Sequence, residues 1–215
     1  MPAPITHLVY GQQYLCLRPE LDRGAFLRGT IFPDIRYLAG FERSKTHQPF
    51  TVANEELDRE PSAWRAGYLF HNWLDDAWNE YFVRYGLVFG DPTQTPKWSA
   101  LKLLEERLVR ERIAYVEDVA SVLDVADPEA VEFGVKPEIL ERWGWFNADL
   151  LRNSWLSDSW DRYVRDALGN DEVAVAEWNR QLAKLEDERV WEGRLHDSLD
   201  VITLQLREGH ESLRK

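Results

Sequence analysis

His71 and Asp75 stand four residues apart in the stretch AGYLFHNWLDDAW. Apolar residues recur there at helical spacing, which predicts a helix over 61 to 86. On a helix, residues i and i+4 share a face, so this imidazole and this carboxylate can reach one ion, or each other. Asp76 lies about 140° around the helix from His71 and is turned away from that point. Trp64, Tyr68, Trp78 and Phe82 continue the same face as an aromatic stripe. An imidazole and a carboxylate set in such a stripe need a partner, because burying either one alone is costly.

Three of the five histidines, His7, His47 and His71, fall in the first third of the chain. Asp34 follows Pro33 between the first two, at a proline turn. Imidazole nitrogens with carboxylate oxygens and no thiolate suit zinc, and also manganese, iron or nickel. A carboxylate-rich set also allows two ions to share a ligand. Far downstream, His196 and Asp200 repeat the four-residue spacing and complete a second site if their helix packs against that of His71. The plainer alternative for each pair is a carboxylate that orients an imidazole by a hydrogen bond.

The elements that must position these groups are helical. Periodicity predicts helices at roughly 6 to 17, 20 to 29, 61 to 86, 96 to 124, 137 to 152, 156 to 168 and 171 to 212, with no sustained strand-like alternation. Loops are expected at FPDIRYLAG, SKTHQPF, FGDPTQTPK and ADPEAVEFGVKP, where Pro or Gly interrupts the pattern. The 215 residues therefore read as one all-α domain, a multi-helix bundle over 1 to 215 whose metal site comes largely from 5 to 85. In 171 to 212, Val175, Trp178, Leu182, Leu185, Trp191, Leu195, Leu199, Ile202 and Leu206 form an apolar stripe, for packing or for a homodimer.

A net charge of -12 argues against a nucleic-acid partner, since that affinity comes from clustered cations. Arg36, Arg43 and Lys45 form the one local basic group. The single cysteine, Cys16, excludes a disulfide framework and a cysteine-rich zinc knuckle, and reads as a small core residue. No signal peptide or run of eighteen apolar residues is found, so a cytoplasmic protein without a transmembrane segment is expected.

Taken in order, His7, Pro33-Asp34, His47 and His71-x-x-x-Asp75 resemble the N-terminal half of the zinc-dependent phospholipase C family, whose all-α fold is shared with the single-strand-specific nucleases of the same superfamily. The resemblance covers roughly residues 5 to 85. It implies a phospholipase C-like fold with one zinc on Asp34, His47, His71 and Asp75. It further implies that Asp75 bridges to a second ion that His7 helps to bind, and that Asp34 doubles as the catalytic group that orients or deprotonates the attacking water.

The chain departs from the family beyond that point. It has no histidine between His71 and His196, where the family brings further histidines and a His-x-x-x-Glu. It begins Met-Pro, where secreted members use the amino group of a processed tryptophan as a ligand. The expected function is a phosphoester hydrolase with one or two zinc ions and a small-molecule substrate. Tyr37, Tyr68, Trp73 and Trp78 are candidate pocket walls, and Arg36 or Arg43 candidate phosphate contacts. The alternative is a non-catalytic helical protein, either metal-binding or a dimerising scaffold.

Overall fold

A computed structural model describes residues 4–48, 52–84, 95–125, 127–154, 157–187 and 190–212. Its helices are α1 (Pro4–Leu17), α2 (Arg23–Ile31), α3 (Arg36–Ala39), α4 (Arg43–Thr46), α5 (Asn54–Arg59), α6 (Ala63–Arg84), α7 (Thr95–Arg110), α8 (Val116–Leu123), α9 (Pro128–Val131), α10 (Pro137–Asn153), α11 (Ser157–Arg162), α12 (Glu172–Asp187) and α13 (Val190–Ser212). A 3₁₀ turn, Phe32–Ile35, joins α2 to α3, and a π turn, Tyr163–Ala167, extends α11. No strand occurs among the described residues, so the chain is all-α. No described helix is long and apolar enough to cross a membrane.

Helix α6 runs through the middle of the core and is buried nearly all round, from Trp64 to Phe82. Ser62 starts it, its hydroxyl accepting the Arg65 N–H at 3.1 Å, as a helix N-cap does. Helix α2, capped by the Asp22 carboxylate on Ala25 N–H at 2.7 Å, lies across α6 in backbone contact. Two glycines allow it. A Cβ on Gly29 would sit 2.1 Å from the Trp64 carbonyl oxygen, and one on Gly67 would sit 2.0 Å from that of Phe26. This crossing sets how Thr30, next to Gly29, meets His71, one turn beyond Gly67.

One contiguous apolar core gathers side chains from Ile5 to Leu206. The stripe on α12 and α13 belongs to it: Val175, Leu182, Leu185, Trp191, Leu195, Leu199, Ile202 and Leu206 are all buried within the chain, against α7 among others. The stripe is thus covered by the chain's own helices.

The expected helix over 96 to 124 is two helices, broken at residues 111–115. Helix α7 packs on α1, α12 and α13, whereas α8 packs on α2 and α10, so the chain must change direction between them. Tyr115 makes the change in a left-handed conformation, φ 55°, at the start of α8. Periodicity reads alike on both sides of such a turn. The expected loop FPDIRYLAG proves to be the 3₁₀ turn and α3, ended by Gly40 at φ 66°, and SKTHQPF contains the end of α4. The segment 89–94 of FGDPTQTPK lies outside the described residues. Cys16, expected in the core, is exposed on α1, its thiol on the Gln12 carbonyl of the preceding turn.

Candidate metal centre

Five side chains named by the sequence converge beside the α2–α6 crossing. His71, Asp75 and His7 form one group of potential ligands, and Asp34, His47 and His71 another, so His71 joins the two. All five are buried, the most exposed being Asp34 at 8%. His71 and Asp75 come from α6, His7 from α1, Asp34 from the 3₁₀ turn behind Pro33, and His47 from the extended residue that ends α4.

Each group is held by a local device. The Thr30 carbonyl on α2 lies 2.9 Å from His71 Nδ1; a carbonyl can only accept, so Nδ1 carries the proton and Nε2 is a bare lone pair. His7 stacks on His71, ring centroids 4.0 Å apart and nearly parallel. His7 is placed by α7, since Glu106 accepts Ile5 N–H and Thr6 N–H, each at 2.7 Å, and so caps α1 with its carboxyl oxygens. His47 is pinned by its neighbour: Asn72 on α6 accepts the Gln48 N–H at 2.9 Å.

Donor atoms of His47, His71 and Asp75 are spaced for one ion, with Asp34 beside His47. Ligands at zinc–nitrogen and zinc–oxygen bond lengths in a tetrahedron stand about 3.3 Å apart. Here His47 Nε2 and His71 Nε2 are 3.3 Å apart, and Asp75 Oδ2 lies 3.7 Å from the first and 3.8 Å from the second. Asp34 Oδ1 is 3.9 Å from His47 Nε2. His7 Nε2 sits 3.6 Å from the other Asp75 oxygen, Oδ1, on the far side of the carboxylate.

The electrostatics agree with a cation-binding set. Burial, then the adjacent His71 ring, lowers His47 to about 3; burial, then the adjacent His7 ring, lowers His71 to about 3. Both imidazoles are neutral at pH 7, which is the ligating form. Burial pushes the Asp75 carboxyl up, but His71 and His7 outweigh it and hold it well below the usual carboxylate value. Asp34 Oδ1 and Asp75 Oδ1 are buried without a hydrogen-bond partner among the described residues, as a set made for an ion should be.

His196 and Asp200 do not join this centre. Helix α13 packs against α6, as the expectation required, but it turns Leu195, Leu199 and Ile202 inward. His196 and Asp200, one residue further round, are exposed and face Arg112 at 3.4 and 3.5 Å. Among the expected pocket walls, Tyr68 packs in the core with Trp64, Phe32 and Phe133, and Trp73 with Phe70. Tyr37 alone is half open, beneath the Arg36 guanidinium.

Three groups near the centre escaped the sequence reading. Glu105 on α7 accepts the Trp78 indole N–H at 2.7 Å, and burial, reinforced by Glu106, raises it to about 8. Burial raises Glu106 to about 7, against the pull of its two backbone donors. Tyr163, in the π turn, keeps a buried hydroxyl without a partner among the described residues, close enough to Asp34 and Glu106 to feel their charge. The available signal was an acidic pair inside the apolar run ALKLLEERLV. Compared with protein-family models, curated proteins and solved structures, the chain matches none.

Proposed function

We propose that the chain is a metal-dependent phosphoester hydrolase, with zinc as the ion and a fold of the phospholipase C kind. The observation that carries the reading is the convergence of Asp34, His47, His71 and Asp75, with His47 Nε2 standing 3.3 Å from His71 Nε2, 3.7 Å from Asp75 Oδ2 and 3.9 Å from Asp34 Oδ1, and with both imidazoles neutral. His7, on the second Asp75 oxygen, is the start of a second ion site. A bound zinc supplies Lewis acidity, lowering the pKa of a water and neutralising charge on a phosphoryl oxygen.

The chain's own residues do the rest. Asp34, whose side chain is the more open of the two carboxylates at 11% against 2% for Asp75, accepts a proton from, or orients, the attacking water. Arg43 and Arg36 place positive charge beside the carboxylates, Arg43 Nη2 at 2.8 Å from Asp75 and Arg36 Nε at 4.0 Å from Asp34. In a chain of net charge -12 that local reversal favours an anionic substrate. The depth of the ligands favours a second reading, a non-catalytic metal site that stabilises the bundle.

The test is metal content per chain by elemental mass spectrometry on protein purified without chelator, beside His71→Ala. One or two equivalents of transition metal, lost in the variant, support a metal centre, and turnover of an aryl phosphate by the loaded protein then separates the hydrolase from the structural site. Absence of metal after zinc is offered sinks both.

A further inference from the structure

We propose that Arg43 and the ion on Asp75 together form one oxyanion site, so that metal and a phosphoryl oxyanion bind cooperatively. This rests on the reading of the cluster as a metal centre. Arg43 and His47 occupy one turn, with the His47 N–H on the Arg43 carbonyl at 2.9 Å, so both side chains arrive at the cluster together. Arg43 Nη2 donates to Asp75 Oδ2 at 2.8 Å, the same oxygen that faces His47 and His71. The second nitrogen, Nη1, is buried and has no hydrogen-bond partner among the described residues. The side chain as a whole is 41% exposed, against 2% for Asp75. The guanidinium therefore stands between solvent and the donor atoms.

In the metal-free chain Arg43 is the counter-ion of Asp75. A divalent cation on that carboxylate takes over the role, and two cationic groups then share one anion. Their repulsion is relieved by a second anion that touches both. A planar guanidinium with a free N–H matches an oxygen of a tetrahedral phosphoryl group, which it can hold with a charge-assisted hydrogen bond. Arg36 on Asp34 adds positive potential beside the same carboxylates. By linkage, the oxyanion must tighten the metal by the factor that the metal tightens the oxyanion.

The experiment titrates zinc, buffered by a chromophoric chelator, into wild type, R43Q and R43K with and without inorganic phosphate, with folding checked by circular dichroism. In wild type, phosphate is expected to tighten zinc about tenfold or more. In R43Q, zinc alone binds as tightly as in wild type or tighter, because a neighbouring positive charge is gone, and phosphate changes its affinity less than twofold. R43K keeps the charge but not the fork and retains part of the coupling. A dimethyl phosphate arm identifies the source: coupling to inorganic phosphate alone points to a dianionic monoester or product, coupling to both points to a diester, and either supports the site. Equal coupling in wild type and R43Q, or none in a wild type that binds zinc, overturns the inference and leaves the metal centre standing. No zinc binding in wild type removes both.

Discussion

His71 shows how one ring can serve several purposes. Its Nδ1–H is spent on Thr30, its face on His7, and its Nε2 is left for an ion. The cost of keeping it neutral has a sign that can be worked out. An unfolded chain protonates His47 and His71 below about 6.5, whereas the fold refuses those protons until about 3. The unfolded state then binds more protons across that window, so stability of chelator-treated protein should fall as pH is lowered through it, by up to about 1.4 kcal/mol per pH unit per ring. Glu105 and Glu106 act the other way. Raised to about 8 and about 7 from 4.5, they keep protons that the unfolded chain has lost, and stability should fall as pH climbs from 4.5 toward 8. Urea denaturation at a series of pH values should give a plateau between about 4.5 and 6.5 with losses on both sides. A steady rise from pH 4 to 8 would show that the two glutamates are ionised in the fold.

At the scale of elements, the Gly29–Gly67 crossing makes the site a property of helix packing. Gly67→Ala forces the Trp64–Tyr68 turn away from α2 and lengthens the His71–Thr30 contact one turn on. It should cost about 1–3 kcal/mol by overpacking and weaken zinc binding about 10–100-fold through the lost carbonyl partner. Gly193→Ala is the control, since nothing lies within 4 Å of its would-be Cβ on α13; it should stabilise by about 0.5–1 kcal/mol and leave zinc affinity alone. Thermal melts and chelator competition read both. The His71-x-x-x-Asp75 pair was legible in the sequence because its geometry is local to one helix, and the aromatic stripe beside it because it is periodic. Arg43 on Asp75 and Glu106 on Ile5 and Thr6 were not legible, since they join residues 32, 101 and 100 positions apart and leave no mark on either segment's periodicity. Likewise His196-x-x-x-Asp200 repeats the ligand spacing but sits one residue off the inward stripe, a phase that only the packed helix reveals.

For the whole molecule, the candidate ligands arrive from α1, the 3₁₀ turn, the end of α4, and α6, so an ion on Asp34, His47, His71 and Asp75 ties three segments at once and a second on His7 and Asp75 adds α1. At free zinc one hundred times its dissociation constant the folded state should gain about 2.7 kcal/mol, a rise in melting temperature of about 5–10 °C for a chain of this size. Differential scanning calorimetry with and without chelator measures it, and His71→Ala should abolish the shift. The side chain of Glu106 carries a last consequence, one of timing. During synthesis the chain emerges from its beginning, and α2 can settle on α6 once residue 84 is out. His7 gains its last anchor only later, because the cap that fixes the start of α1 is supplied by a residue one hundred positions downstream. The histidine encoded first is therefore among the last of the five to be fixed in place, and an ion that arrives early meets Asp34, His47, His71 and Asp75 before it meets His7.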